Sequence, residues 1–296
     1  MKIYLFEPAS PSDPKTIEEA LAFFNNEFPS HEKPSFSFIG QIGMVNPELP
    51  YLAWDDTLKA KTFIEASRKK EACFIWATRG GYGTLRWLGL VDFSSLASSL
   101  SNKLFMGFSD VTFLASQLTN MGLKFLHAPM LSTFLKSNPE SRQAFYSFLR
   151  TGRTPLLAGV GLKQGSCVGR VIGGNLTCIC HSIGTKYEPQ WHDSILFIED
   201  CWEDLYKIDR MLTHLIECGA LDKVQGIALG SFLFSDNEKE QTKMLPHLFA
   251  DRLAPLEKPI VMDLPVGHGS SNMPILLGGM YELDGTSGTL TPWDFE

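Results

Sequence analysis

The chain has 296 residues, of which 44% are hydrophobic and 20% are charged, and its 26 basic and 33 acidic residues give a net charge of −7. This ordinary globular composition excludes a disordered, collagen-like or coiled-coil chain as a whole. The acidic balance, with a pI near 5.5 and no basic block of five residues, excludes a dedicated nucleic-acid binder.

The first half of the chain alternates short apolar runs with helical patterns, which predicts an α/β fold. The opening apolar run, residues 3–6, is typical of a strand and is too short for the core of a signal peptide. Gly122 is placed to end a helix in a left-handed conformation. The remaining predictions for this half are strands at 36–39, 73–77 and 104–107 and helices at 16–28, 57–70 and 110–120.

The second half begins with a glycine-rich stretch, residues 151–174, that has few helical repeats. We interpret residues 151–172 as a linker between a domain of residues 1–150 and a smaller domain of residues 173–296. Asp284-Gly285 lies between apolar residues and predicts a tight hairpin. The remaining predictions are helices at 175–183 and 204–218, the second ended by Gly219, and strands at 194–198, 224–229 and 259–262.

The sequence supports neither a membrane location nor a metal site. No segment approaches the 18 or more apolar residues that cross a bilayer, so we expect a cytoplasmic protein with no membrane partner. The six cysteines show neither a CxxC motif nor the Cys/His spacing of a zinc site. We therefore expect reduced, buried thiols and no bound metal.

A candidate nucleophile stands where an apolar strand meets a helix, in Met106-Gly107-Phe108-Ser109-Asp110. Such a turn lifts the Ser109 side chain beside free amides at a helix N-terminus, which is what a nucleophile with an oxyanion needs. A serine or aspartate before a helix is also the common N-cap, and taken alone the segment favours capping.

A glycine loop follows another strand, in Thr78-Arg79-Gly80-Gly81-Tyr82-Gly83. Glycines here allow the backbone to approach a phosphate closely or to point an amide at an oxyanion. The spacing is neither that of a dinucleotide fingerprint nor that of a P-loop, so no nucleotide cofactor is expected. A purely structural tight turn explains the loop equally well.

An acidic pair and a histidine complete the candidate residues. Glu199 and Asp200 end an apolar strand, where they line a site or cap the next element, and His268 stands between glycines on a loop. With Ser109 they supply a nucleophile, an orienting carboxylate and a general base, and the order Ser, Glu, His is one that triads permit. The spacing alone does not show that the three meet.

Taken together, these motifs resemble the LD-carboxypeptidase family of serine peptidases, which includes murein tetrapeptide carboxypeptidases and microcin-immunity peptidases. The resemblance covers nearly the whole chain and lies in the order and spacing of its motifs. The motifs are Pro8-Ala9-Ser10-Pro11, Tyr51-Leu52-Ala53-x-Asp55-Asp56, Ala77-x-Arg79-Gly80-Gly81-Tyr82-Gly83, Gly107-Phe108-Ser109-Asp110, His127-Ala128-Pro129-Met130, Gly173-Gly174-Asn175-Leu176-Thr177, Leu196-Phe197-Ile198-Glu199-Asp200, Tyr206-x-Ile208-Asp209-Arg210-Met211-Leu212 and Pro265-Val266-Gly267-His268-Gly269.

The resemblance implies a role for each candidate. Ser109 would be the nucleophile, His268 the general base and Glu199 its partner, with the backbone amides of Gly81 and Asp110 as the oxyanion hole. It also implies an N-terminal α/β domain with a mainly parallel sheet, a smaller mixed-sheet C-terminal domain and an active site in the cleft between them. A homodimer without metal or organic cofactor is expected.

The implied reaction is hydrolysis of an L,D amide bond, which releases the terminal D-alanine of murein tetrapeptide during peptidoglycan recycling. Arg79, Tyr82 and Trp202 are expected to contact this peptide. Trp54 and Trp202 stand where relatives often carry small residues, and packing over apolar surface explains both better than a reshaped cleft. A peptide–nucleotide antibiotic is the alternative substrate, and a silent binding protein is disfavoured by the complete triad.

Overall fold

The computed structural model describes residues 1–28, 33–71, 73–235 and 238–293, and the chain divides into two compact units, Met1–Ser137 and Asn138–Glu296. The strands of the first unit are β1 (Lys2–Phe6), β2 (Ser35–Phe38), β3 (Cys73–Ala77), β4 (Lys103–Gly107) and β5 (Phe125–His127). Its helices are α1 (Pro14–Glu27), α2 (Asp56–Ser67), α3 (Thr84–Leu88), α4 (Phe93–Leu100), α5 (Thr112–Asn120) and α6 (Leu131–Phe134).

The second unit contains more strands. They are β6 (Leu157–Ala158), β7 (Val160–Lys163), β8 (Ser166–Asn175), β9 (Ser194–Cys201), β10 (Gly226–Leu233), β11 (Ile260–Met262), β12 (Ile275–Leu277), β13 (Met280–Asp284) and β14 (Thr289–Pro292). Its helices are α7 (Pro139–Thr151), α8 (Leu176–Ser182), α9 (Leu205–Glu217), α10 (Ala220–Lys223) and α11 (Glu238–Leu253). Within the described residues, no helix has the length and apolarity needed to cross a membrane.

The strands of the first unit pair in parallel, in the order β5-β4-β3-β1-β2. Helices cover the sheet, and its interior is aromatic: the ring of Phe24 lies 5.4 Å from those of both Trp76 and Phe134. Because parallel neighbours β3 and β4 end at the same edge of the sheet, the loops that follow them lie side by side. These loops carry the glycine motif and Ser109.

The sheet of the second unit is mixed, in the order β6-β14-β13-β8-β9-β10-β11-β7. Its centre, β8-β9-β10-β11, is parallel, while the remaining pairings are antiparallel. The apolar face of α9 packs on this sheet, with Ile208, Leu212 and Leu215 fully buried. The α/β class, with one mainly parallel and one mixed sheet, is therefore confirmed.

The stretch 151–172 is not a linker. It forms β6, β7 and most of β8 in the sheet of the second unit. Its glycines serve close packing rather than flexibility: a Cβ at Gly161 would lie 2.0 Å from the carbonyl oxygen of Gly285, and one at Gly159 would lie 2.3 Å from that of Met262. Glycine there lets neighbouring backbones approach closely.

The boundary between the units also differs from the expected one after residue 150. Helix α7 belongs to the second unit, because its first turn is hydrogen-bonded to the loop 270–272. The amide of Asn138 donates to the carbonyl of Ser270 (2.7 Å), and the amide of Asn272 donates to Ser141 Oγ (2.9 Å). The second unit is consequently the longer of the two, whereas we expected a smaller C-terminal domain.

The helix ends predicted at Gly122 and Gly219 are confirmed, whereas the hairpin predicted at Asp284-Gly285 forms with a longer loop than expected. Gly122 (φ +76°) and Gly219 (φ +70°) adopt the left-handed conformation after α5 and α9. The hairpin at Asp284 forms between β13 and β14, but its loop spans residues 285–288, and Gly288 holds the left-handed position (φ +73°). Asp284 Oδ1 accepts two loop amides, which stabilises the longer turn.

Candidate active site

Ser109 lies directly after β4, in a 3-10 turn of residues Ser109–Val111 that leads into α5. Its φ of +63° is in the left-handed region, which costs a non-glycine residue roughly 1–2 kcal/mol. Gly80 packs against this turn, since a Cβ there would lie 3.0 Å from Ser109 Cβ and 3.1 Å from its Oγ. The strained strand-to-helix turn is the backbone shape that a nucleophile elbow requires.

The glycine loop is held in place by Ser10. Ser10 Oγ accepts the amide of Tyr82 (3.1 Å) and donates to the carbonyl of Tyr51 (2.7 Å). At Gly81 the φ is +99°, and a Cβ would lie 2.4 Å from Ser10 Oγ, so only glycine fits. Among the hydrogen bonds of the described residues, none is donated by the amide of Gly81 or of Asp110.

The side chain of Asp110 joins the nucleophile turn to the glycine loop. It is buried, and its Oδ2 accepts the amide of Thr84 at 2.8 Å. Burial raises the pKa of Asp110, while the hydrogen bonds from Thr84 oppose the shift. The residue expected to supply an oxyanion amide therefore also carries the carboxylate that fixes the neighbouring loop.

Arg79 and Tyr82 flank the same loop and are exposed. Arg79 Nη1 donates to the carbonyl of Pro11 (2.6 Å), so its side chain lies along the protein surface. The Tyr82 ring is 52% exposed and stands 5.9 Å from the ring of Tyr51, which is 51% exposed. The two rings form an open aromatic surface beside Gly81, which is compatible with a peptide contact.

In the second unit, a buried Glu199 pairs with a partly buried His268. His268 Nδ1 lies 2.6 Å from Glu199 Oε2, and the Glu199 side chain is fully buried. Burial is the largest single influence and lowers the pKa of His268, but the charge of Glu199 and the hydrogen bonds with Cys201 and Glu199 together outweigh it, so the pKa is raised. A raised pKa means that the protonated imidazole is stabilised, which is what a general base requires of its partner.

Two glycines make room for this carboxylate. A Cβ at Gly230 would lie 2.4 Å from the carbonyl of Val266 and 3.1 Å from Glu199 Cβ. A Cβ at Gly267 (φ +130°) would lie 2.9 Å from Glu199 Oε2. The backbones of β10 and of the His268 loop therefore enclose Glu199, and its Oε1 has no hydrogen-bond partner among the described residues.

Glu199 and Asp200 are adjacent but contact different partners. Whereas Glu199 meets His268, Asp200 accepts the amide and the hydroxyl of Thr177 (2.9 and 2.8 Å), and so binds the first turn of α8. It also accepts from Asn175 Nδ2 at 2.8 Å. Burial, and then the charge of Glu199, raise the pKa of Asp200 to about 6. The capping interpretation is therefore correct for Asp200, while the catalytic role of Glu199 stays a prediction.

The two tryptophans behave differently. Trp54 is buried, and its ring covers Gly40, where a Cβ would lie 1.9 Å from the indole, so the packing interpretation is confirmed for Trp54. Trp202 is instead 66% exposed, and it adopts φ +65°, a conformation that suits glycine. Its indole is open to solvent on the segment that follows Glu199.

The described residues contain no group of three or more His, Cys, Asp and Glu side chains arranged to hold a metal ion. His181, next to Cys180, uses its Nδ1 to bind the carbonyl of Thr177 at 2.7 Å. Sequence reasoning missed Ser10 and Gly230 as supports of the site. The sequence signal for Gly230 was a glycine inside an apolar strand, which often marks a close backbone approach.

Comparison with known proteins covers most of the chain. Residues 3–128 match the family model described as the LD-carboxypeptidase N-terminal domain, and residues 168–283 match the model of the LD-carboxypeptidase C-terminal domain. The chain is 35% identical over 246 residues to a putative carboxypeptidase of Synechocystis, covering 81% of this chain and 79% of that protein.

Two further proteins are similar over longer stretches. A probable murein peptide carboxypeptidase of Bacillus subtilis is 31% identical over 280 residues, which cover 92% of this chain and 85% of that protein. The crystal structure of muramoyltetrapeptide carboxypeptidase from Oxalobacter formigenes superposes with a TM-score of 0.85 at 25% identity, covering 100% of this chain and 99% of that chain.

Proposed function

The chain belongs to the LD-carboxypeptidase family of serine peptidases and is an enzyme of that family, and from this premise we propose that it releases the terminal D-alanine of murein tetrapeptide. The observation that carries the proposal is the pairing of His268 with the fully buried Glu199, with 2.6 Å between Oε2 and Nδ1. The strained turn at Ser109 and the names of the relatives support it. In the same proposal, the enzyme acts as a homodimer in cytoplasmic peptidoglycan recycling.

The first step is attack by the serine. His268 Nε2 takes the proton of Ser109 Oγ while the oxygen forms a bond to the scissile carbonyl carbon. Glu199 accepts the Nδ1–H of His268, which fixes the tautomer and stabilises the imidazolium that the transfer creates. The raised pKa of His268 has the sign that this role needs.

The carbonyl oxygen becomes an oxyanion as the tetrahedral intermediate forms. The amides of Gly81 and Asp110 are its donors in this proposal, and one such donor contributes roughly 3–4 kcal/mol to transition-state stabilisation. Since both are backbone groups, side-chain substitution does not remove them, and their positions depend on the conformation of the glycine loop and the Ser109 turn.

The second half of the reaction regenerates the enzyme. The imidazolium of His268 donates its proton to the amine nitrogen of D-alanine as the amide bond breaks, leaving an ester on Ser109. A water molecule then gives a proton to His268 and attacks the ester carbon. The tripeptide leaves with a new carboxylate, and the proton returns to Ser109 Oγ.

The experiment is mass spectrometry of murein tetrapeptide incubated with the native protein, with Ser109→Ala and with Ser98→Ala. Ser98 is an exposed serine on α4 and serves as the matched control. We expect the native protein and Ser98→Ala to remove one alanine and Ser109→Ala to remove none. A folded native protein that leaves the tetrapeptide intact, but cleaves a peptide–nucleotide conjugate, would refute the murein substrate.

A further inference from the structure

Lys59 is a fully buried lysine on α2, in the unit that carries Ser109. An ammonium group in the interior is costly unless charged or polar groups surround it. Burial lowers the pKa of Lys59, and the carboxylates of Asp56 and Asp110 oppose that shift. The mechanism described above makes no use of this buried charge.

The surroundings of the ammonium place it under the glycine loop. Its Nζ lies 3.5 Å from Asp56 Oδ1, and Asp56 also binds Arg86, with 2.8 Å between Nη2 and Oδ2. A Cβ at Gly83 (φ +128°) would lie 3.1 Å from Lys59 Nζ. The ammonium therefore rests against the backbone of the last glycine in the loop that contains Gly81.

Asp110 connects this loop to the nucleophile turn. Its carboxylate accepts the amide of Thr84, the residue after Gly83, at 2.8 Å. The charge of Lys59 lowers the pKa of this buried carboxyl and so favours its ionised form. An ionised carboxylate is the stronger acceptor for the Thr84 amide.

We propose that Lys59 is a positioning residue for the oxyanion hole. With the Asp110 carboxylate, it holds the loop 80–83 against the turn 109–111, so that the amides of Gly81 and Asp110 converge on one oxygen. The inference rests on the proposed function, because these two amides are oxyanion donors only if Ser109 is the nucleophile. Lys59 itself touches no reacting atom.

The charge, rather than the bulk, of Lys59 performs this role. Lys59→Met keeps a long unbranched side chain and removes the positive charge that favours ionised Asp110, while Asp56 keeps its ion pair with Arg86. The pKa of Asp110, already raised by burial, then rises further. Because protonated Asp110 holds the Thr84 amide more weakly, the variant loses activity as the pH falls, at a higher pH than the native enzyme does.

The test compares Lys59→Met, Lys59→Arg and Lys61→Met. Lys61 is exposed on the same helix and is the matched control. We measure kcat and KM for D-alanine release, and the rate at which a fluorophosphonate labels Ser109. Lys59→Met is expected to lower kcat and the labelling rate about 100-fold, the effect of one misplaced oxyanion donor, with KM within about twofold. Lys59→Arg restores most of the loss, and Lys61→Met matches the native enzyme.

A second variant keeps the test decisive if Lys59→Met does not fold. Asp110→Asn retains the backbone amide and the side-chain shape, and it is expected to show the same loss of kcat with KM unchanged. Where both variants fold, their effects are not additive, because each breaks the same connection. Native kcat and labelling rate in a folded Lys59→Met, or in Asp110→Asn, overturn the inference. A native enzyme that releases no D-alanine refutes the proposed function instead.

Discussion

Replacing Glu199 by glutamine tests the proposed triad at its most buried member. The carboxylate is fully buried, and its Oε2 lies 2.6 Å from His268 Nδ1. Two unit charges at this separation attract by about 6 kcal/mol at an effective dielectric constant of about 20. Glutamine keeps the shape of the side chain and an oxygen that accepts Nδ1–H, but it removes this attraction.

The expected loss follows from that magnitude. The attraction acts fully only when His268 is an imidazolium, as it is in the transition state of serine attack. Since the glutamine oxygen retains a neutral hydrogen bond, we expect kcat to fall about 10³- to 10⁴-fold, which corresponds to about 4–5.5 kcal/mol. KM is expected to change little, because Glu199 is enclosed by protein and makes no contact with solvent.

The pH dependence of kcat provides an independent test of the role of Glu199. The native His268 has a pKa above its ordinary value of 6.5, so activity, which needs neutral imidazole, rises with pH through that raised pKa. In Glu199→Gln the main raising influence is gone and burial lowers the pKa. The acid limb of the kcat profile therefore moves to lower pH, even though the maximal rate is smaller.

The assay is steady-state D-alanine release between about pH 5 and 11, a range that includes the raised pKa of His268 of about 10, with urea unfolding to establish that the variant is folded. Glu217→Gln, at an exposed glutamate on α9, is the control and should match the native profile. A folded Glu199→Gln with kcat within tenfold of native, or with an unmoved acid limb, would show that Glu199 does not act through His268.

Three other substitutions test the supports of the site. Gly81→Ala should lower kcat by at least about 100-fold, because Gly81 adopts φ +99° and the added Cβ would lie 2.4 Å from Ser10 Oγ. The control Gly122→Ala should affect only stability, because Gly122 adopts φ +76° but has open space around it. Asn138→Ala removes the N-cap of α7, and we expect the free energy of unfolding in urea to fall by about 1 kcal/mol and kcat to fall as well. The control Asp92→Ala removes an exposed N-cap of α4, and we expect a similar loss of stability with native kcat. Trp202→Gly should relieve left-handed strain, raising stability by roughly 1 kcal/mol, and raise KM severalfold if the exposed indole contacts substrate.

The sequence by itself determined the features that depend on short stretches of chain. Apolar runs of four or five residues predicted β1, β3 and β4, because a strand buried on both faces can be recognised from its own residues, whereas the three-residue β5 was not predicted. Gly122 and Gly219 ended their helices as predicted, since a left-handed backbone selects glycine locally. The Ser109 turn and the motifs that resemble the family also lie within such stretches.

Tertiary structure alone decided the features that depend on distant partners. The residue pattern gives the neighbours Glu199 and Asp200 the same two possible roles, and the positions of His268 and Thr177 show which side chain each of them contacts. The glycines of residues 151–172 indicated a linker, whereas the close approach of Gly161 to Gly285 and of Gly159 to Met262 shows a close-packed sheet.

Lys59 is the clearest case of this kind. Its position beside Ala60 and Phe63 on the buried face of α2 was a signal in the sequence, since lysine is rarely fully buried. The sequence does not show that Gly83 and Asp110 lie next to the ammonium group of Lys59. Burial and charge pairing are sums over all neighbours in space, and most of those neighbours are far away in sequence.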